Sequence, residues 1–238
     1  MGTLWAFAHP VVTVLLYWFV FDYVMGAKAS LLSQGLDVPY VIWLTAGLVP
    51  WFFFSEAINN GTTSLLEYSY LVKKVVFNIS IIPIIKILAA SFTHIFFVCF
   101  MLVVYMILGG TPSIHLIQLL YYSLALLLFT LALSYATSAI VIFFRDLLQL
   151  INIALQVGMW ATPILWNIST LHNPVVVFIL KLNPIYYIVN GYRGAMFEQR
   201  WFWEDAGLTI YFWVLTLVLF LVGTKIFRKL KVHFADVL

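Results

Sequence analysis

The chain has 238 residues, of which 64% are hydrophobic, 18% aromatic and only 9% charged, with a net charge of +3 and a mean hydropathy of +1.06. A soluble domain carries roughly 25% charged residues, so the composition excludes a soluble enzyme or binding module and indicates an all-α, polytopic membrane protein. The small positive charge follows from Lys and Arg at span ends and gives no reason to expect a nucleic-acid partner.

Six segments reach the roughly 20 mostly apolar residues that a span needs: 4–25, 40–62, 81–108, 117–143, 147–166 and 207–227. They are expected to be helices, because a span must satisfy its own backbone hydrogen bonds. No linker separates soluble units, so 1–238 reads as a single transmembrane domain. The first segment follows no basic n-region and is long enough to cross, which argues against a cleaved signal peptide despite GAKAS at 26–30.

In span one, Trp5, His9, Thr13 and Tyr17 recur every four residues beside Pro10, on one helical face. Span two holds Glu56, the one carboxylate expected inside a span. The stretch SLLEYSYLVKKVVFN at 64–78 follows, amphipathic, with Leu65, Leu66, Tyr68, Leu71, Val72 and Val75 among Glu67, Lys73 and Lys74. Such a segment either docks into a groove on a soluble partner or lies on lipid headgroups with its lysines toward anionic lipid. Span three brings Lys86 to a depth comparable with Glu56. The two are expected to pair, since a lone charge there is expensive. Cys99, the only cysteine, reads as a small buried residue.

Span four carries Thr130, Ser134, Thr137 and Ser138, small hydroxyl residues that let helices approach closely. Span five carries Gln149, Asn152, Gln156 and Trp160 at spacings of 3, 4 and 4, again one face. The stripes of spans one and five either line a pathway or act as interhelical glue. Uncharged amides with aromatics suit a sugar chain, whose hydroxyls exchange hydrogen bonds with amides while its C–H faces rest on rings. Between spans five and six, about forty apolar residues are interrupted by Pro163, Pro174 and Pro184. They read as short helices that dip into the outer leaflet and return, or as an interfacial helix pair. With both termini cytoplasmic, seven Lys and Arg fall inside (Lys73, Lys74, Arg145, Lys225, Arg228, Lys229, Lys231) against four outside (Lys28, Lys181, Arg193, Arg200), the orientation that the positive-inside rule favours.

The sequence has no phosphate-binding G-x-x-x-x-G-K-[ST] loop, no H-E-x-x-H and no zinc-spaced Cys/His set. The five histidines are scattered and read as structural or interfacial. Work done by this chain needs energy supplied by another subunit.

Taken in order, GTLWAFAHP, YWFVF, AGLVPWFFFSEAI, LVKKVVF, FFRD, TPILW, LNPIYYIVNGYR and WFW resemble the permease subunits of ABC-2 type exporters of polysaccharide, O-antigen and teichoic acid across essentially the whole chain. The resemblance implies a transport subunit and no enzyme: a homodimeric permease of the bacterial inner membrane with six spans per protomer, re-entrant helices between spans five and six, and two copies of a soluble ABC ATPase that bind Mg-ATP, with no cofactor in this chain. It implies that 64–78 is a coupling helix, with Glu67, Tyr70, Lys73 and Lys74 toward the ATPase. It also implies that spans one and five line the path of a lipid-linked glycan. The family often has proline where Asn78 stands, and an N-terminal amphipathic basic helix before G-x-x-W, whereas this sequence starts at Met1-Gly2-Thr3: either a shortened chain or a start further upstream. Rival readings are an ABC-2 permease for a small lipid or drug, and a membrane-embedded transferase built on Arg193, Glu198, Arg200, Glu204 and Asp205, charges that otherwise read as a solvated rim.

Overall fold

The computed structural model describes residues 2–24, 26, 40–72 and 78–237, and among these it is a helical bundle with no strand. In chain order the helices are α1 (Gly2–Trp18, continued by a π-helical stretch Phe19–Val24), α2 (Tyr40–Glu67), α3 (Ser69–Val72), α4 (Ile81–Ile107), α5 (Gln118–Phe143, led in by a 3-10 turn Ile114–Ile117), α6 (Leu147–Ala161), α7 (Pro174–Lys181), α8 (Pro184–Arg193, continued by Gly194–Glu198), α9 (Ala206–Lys231) and α10 (Phe234–Val237).

α2 is the axis of the bundle. Of its most apolar stretch 72% is buried, against 17% for α9, so α2 is packed on most sides while α9 presents its apolar surface outward. α4, α5, α6, α8 and α1 all lie against α2, and α9 lies against α5. The small residues of α5 do what the sequence suggested. Ser134 sits against Gly61 of α2 so closely that a Cβ there would collide with it, and Thr62 and Thr137 share a hydrogen bond of 2.8 Å across the same contact. Gly223 of α9 meets the backbone of Ala132 in the same way.

Four helices among the described residues are long and apolar enough to cross a membrane: Tyr40–Glu67, Ile81–Ile107, Ile114–Phe143 and Ala206–Lys231. Two of the six expected spans are shorter as apolar helices, Ala8–Phe21 and Leu147–Ala161. At about 1.5 Å per residue α6 falls short of a hydrocarbon core of about 30 Å. Its expected end at 166 moves back to Ala161 because Thr162 precedes Pro163 and is held extended, at φ −82° and ψ 133°. α2 in turn runs past the expected 62 to Glu67.

The interrupted outer segment forms α7 and α8, bent by 93° at a short break. Each starts at an Asn-Pro step. Asn173 accepts from the Val175 amide and Asn183 from the Ile185 amide, both at 3.0 Å, while the proline occupies the first helical position. Cys99 is exposed on α4 rather than buried, because α4 turns that face away from α2.

Candidate translocation path and coupling segment

α6 presents its stripe as an open face. Gln149, Asn152, Gln156 and Trp160 are all exposed, Trp160 by 57%, and none of the three amides has a hydrogen-bond partner among the described residues. The opposite face is apolar: Gly158 lies against Trp51, and Ile151, Ala154 and Leu155 line a cavity of about 270 Å³ shared with Trp51, Phe54 and Phe129.

The stripe of α1 is less open. His9 is exposed, while Thr13 and Tyr17 are half-buried. The Thr13 hydroxyl donates to the His9 carbonyl at 2.9 Å, and Tyr17 sits edge-on to Phe21. Trp5 lies in α1, and its side chain falls outside the described ones. Val11, Val14 and Leu15 of α1 cover Val41, Thr45, Val49 and Phe52 of α2 over an apolar cavity of about 230 Å³. α1 and α6 therefore both lie against α2.

A third stripe was missed in the sequence. Glu56, Asn59 and Thr63 continue along α2 at helical spacing from Val49 and Phe52, and all three are half-buried. Asn59 donates to the Ser55 carbonyl at 2.9 Å, and the Thr63 hydroxyl donates to Glu67 Oε1 at 2.7 Å. The signal was present in the 4, 3, 4 spacing from Phe52.

The expected pairing of Glu56 with Lys86 does not form. Lys86 Nζ donates instead to Glu67 Oε2 at 2.6 Å, because α4 begins beside the end of α2, and Glu56 lies about three helical turns further along it. Glu56 has no partner among the described residues. The 64–78 stretch also changes character. Leu65 is fully buried in a cluster with Ile79, Ile82 and Phe227, so it anchors the bundle rather than a partner, and Leu66 and Tyr68 pack partly against the same cluster. Glu67 is paired internally. Tyr70 on α3 is 57% exposed. Lys73 and Lys74 lie outside the described residues.

Toward the α7–α8 end the polar groups bond to one another. Arg193, expected on a solvated rim, is buried: Nη1 donates to the Pro163 carbonyl at 2.6 Å, Nη2 to the Ile164 carbonyl at 2.7 Å, and the guanidinium lies 3.3 Å from the centroid of Trp43. Gly47 gives it room, since a Cβ there would come within 2.9 Å of Nη2. The segment that follows α6 is pinned twice more, by Tyr40 Oη to the Leu165 carbonyl at 2.9 Å and by Asn183 Nδ2 to Thr162 Oγ1 at 2.7 Å. Deeper in, Tyr192, Ser123 and His94 form a closed triangle of hydrogen bonds. Arg200 pairs with Glu198 and Asp205. Burial pulls its pKa down, and the two carboxylates more than compensate, holding it above the ordinary value. Glu204 accepts from the Trp201 amide at 2.8 Å. Glu198 and Asp205 are thus engaged by Arg200 and Glu204 by a backbone amide, while Arg193, beside Glu198 in a small cavity, is held by the two carbonyls.

The sequence pattern of the ABC-2 type transporter family matches residues 1–197. The O-antigen export system permease protein RfbA of Myxococcus xanthus is 28% identical over 237 residues, covering 99% of this chain and 87% of that protein. The protein of the same name from Klebsiella pneumoniae is 27% identical over 240 residues, covering 100% and 88%.

Proposed function

From the premise that this chain belongs to the ABC-2 type transporter family, we propose that it is the permease subunit of an exporter that moves a lipid-linked cell-surface glycan across the bacterial inner membrane. The family makes it a multi-pass membrane transport protein that works with an ABC ATPase. The finer reading is a homodimer with two ATPase copies that bind and hydrolyse Mg-ATP, six spans per protomer with α1 and α6 completing the set, α7 and α8 re-entrant at the outer face, and both termini cytoplasmic. The relatives' names favour O-antigen among the possible cargoes.

The observation that carries the glycan reading is the face of α6. Three amides without partners among the described residues and an exposed indole, all uncharged, offer a glycan hydroxyl and C–H surface what they exchange with water. A cation path would carry carboxylates instead. His9, Thr13 and Tyr17 of α1, with Trp5, are assigned to the same path. Tyr70, Lys73 and Lys74 are assigned to the ATPase contact, and Glu67 is withdrawn from it because its charge is already paired.

The test replaces Gln149, Asn152 and Gln156 together by leucine and measures glycan at the cell surface. Loss of export with normal chain abundance supports the path. Intact export removes α6 from it and turns the reading toward a small lipid or drug. Mass determination of the complex in mild detergent, with two copies of this chain and two of the ATPase expected, tests the subunit reading separately.

A further inference from the structure

We propose that Lys86 is a positioning residue for energy coupling, fixing the angle at which the segment after α2 leaves the bundle. The proposal rests on the reading of that segment as the ATPase contact.

Glu67 is the last residue of α2. A carboxylate there faces the negative end of the helix dipole and is unfavourable without donors. It has two: Thr63 Oγ1 at 2.7 Å and Lys86 Nζ at 2.6 Å. The same ammonium sits 4.9 Å from the centroid of Tyr68, the turn residue at which α2 stops and α3 begins one position later. One cation on α4 thus holds both the end of one helix and the break that follows it. At the far end of the segment, Ile79 and Ile82 are buried with Leu65, Phe227 and Phe234, and Tyr135 Oη donates to the Ser80 carbonyl at 3.2 Å. Both ends are therefore fastened to the bundle.

The two fastenings differ in kind. The exit is held mainly by apolar packing, which has no preferred direction. The entry shares that packing through Leu65, Leu66 and Tyr68 and adds a charge-assisted hydrogen bond and a cation over a ring, both directional. A push on α3 is consequently delivered to α4 through Lys86 as well as to α2 through the chain. Without the ammonium, Tyr68 keeps only its packing against the Leu65 cluster and its backbone bond to Ser64, and part of the push is absorbed there.

The experiment uses the full complex in proteoliposomes and reads glycan exported per ATP hydrolysed, with parent, Lys86→Met, Lys86→Arg and the double swap Glu67→Lys with Lys86→Glu. Lys86→Met is expected to bind the ATPase and hydrolyse ATP as the parent does, while export per ATP falls about fivefold, the lower end of coupling between distant sites. Lys86→Arg is expected to recover most of it, and the double swap, which restores the ion pair but not the cation over Tyr68, only part. An unchanged ratio in Lys86→Met overturns the proposal, as does a fall that neither rescue reverses. If Lys86→Met fails to accumulate, Glu67→Gln, which keeps the shape but drops the ion pair, decides by the same ratio. A parent chain that associates with no ATPase overturns the functional reading and this proposal with it, whereas a normal parent with an unaffected Lys86→Met overturns this proposal alone.

Discussion

The segment 162–165 joins two regions that treat the same kinds of polar side chain in opposite ways. On one side, α8 and the helices around it bond Arg193, Tyr192, Ser123, His94 and Asn183 to partners within the chain. On the other, α6 leaves three amides exposed and unpartnered among the described residues. Internal bonding offsets the cost of burial and fixes one arrangement. Unspent amides are useful only to a partner that comes and goes, or to a second copy of the chain. Burial and bonding, rather than residue type, separate glue from working surface in this molecule.

The largest effect is expected at Arg193. Arg193→Met leaves the Pro163 and Ile164 carbonyls without donors in a buried segment, and losing two hydrogen bonds from a charged group is expected to cost roughly 3 kcal/mol or more. Denaturant unfolding in mild detergent measures it. The cost of burying the guanidinium, which has no carboxylate within ion-pair distance among the described residues, works against this figure, so a small effect would mean that the clamp is no net glue. Arg193→Lys is expected to recover less than half, because an ammonium lacks the planar fork that meets both carbonyls.

Gly61→Ala comes next. The new methyl collides with Ser134, and overpacking of this kind costs about 1–3 kcal/mol. The double variant Gly61→Ala with Ser134→Gly exchanges the large and small partners across the α2–α5 contact and is expected to restore most of the loss in the same measurement. Failure to recover would mean that the contact depends on more than the space the glycine leaves.

Much of the bundle was legible because long apolar runs carry their own length and period. α4 and α5 fall within a residue of their expected ends, α9 starts within a residue of 207 and runs past 227 to Lys231, and the small residues of α5 announced a close contact. Pro163 was equally legible as a helix stop, yet the apolar Ile164, Leu165 and Trp166 drew the expected end of α6 past it. The partners of charges were not legible. Lys86 meets Glu67 rather than Glu56 because of the relative register of α2 and α4, which no single helix encodes. Arg193 reads as a surface cation since its partners are backbone carbonyls in an irregular segment, and a sequence does not mark those. The polar stripe on α2 was visible in its spacing and was hidden by the bulky aromatics around it.

Tyr192→Phe is expected to be milder. It removes a 2.6 Å bond to Ser123 and a 3.1 Å bond to His94, but Ser123 and His94 remain bonded to each other at 3.1 Å. No group is therefore stranded on that account, and the cost should be about 1 kcal/mol. A loss as large as that at Arg193 would mean that the triangle acts as a cooperative unit.

The smallest expected effect on stability decides what α6 is for. Gln149, Asn152 and Gln156 replaced together by leucine should shift unfolding by no more than about 0.5 kcal/mol, as for surface substitutions that touch no special feature, even though export is lost. That pairing of outcomes separates the two uses of an intramembrane amide. Glue would show as a stability loss of about 0.6 kcal/mol or more per bond, the average measured for hydrogen bonds between membrane helices. If the variant loses stability in the isolated chain, the amides have internal partners after all and the contrast between the two regions collapses. If it is lost only in the assembled complex, the stripe belongs to the contact between copies. Unchanged stability in both, with export gone, leaves the passing cargo as the partner these side chains are kept free to meet.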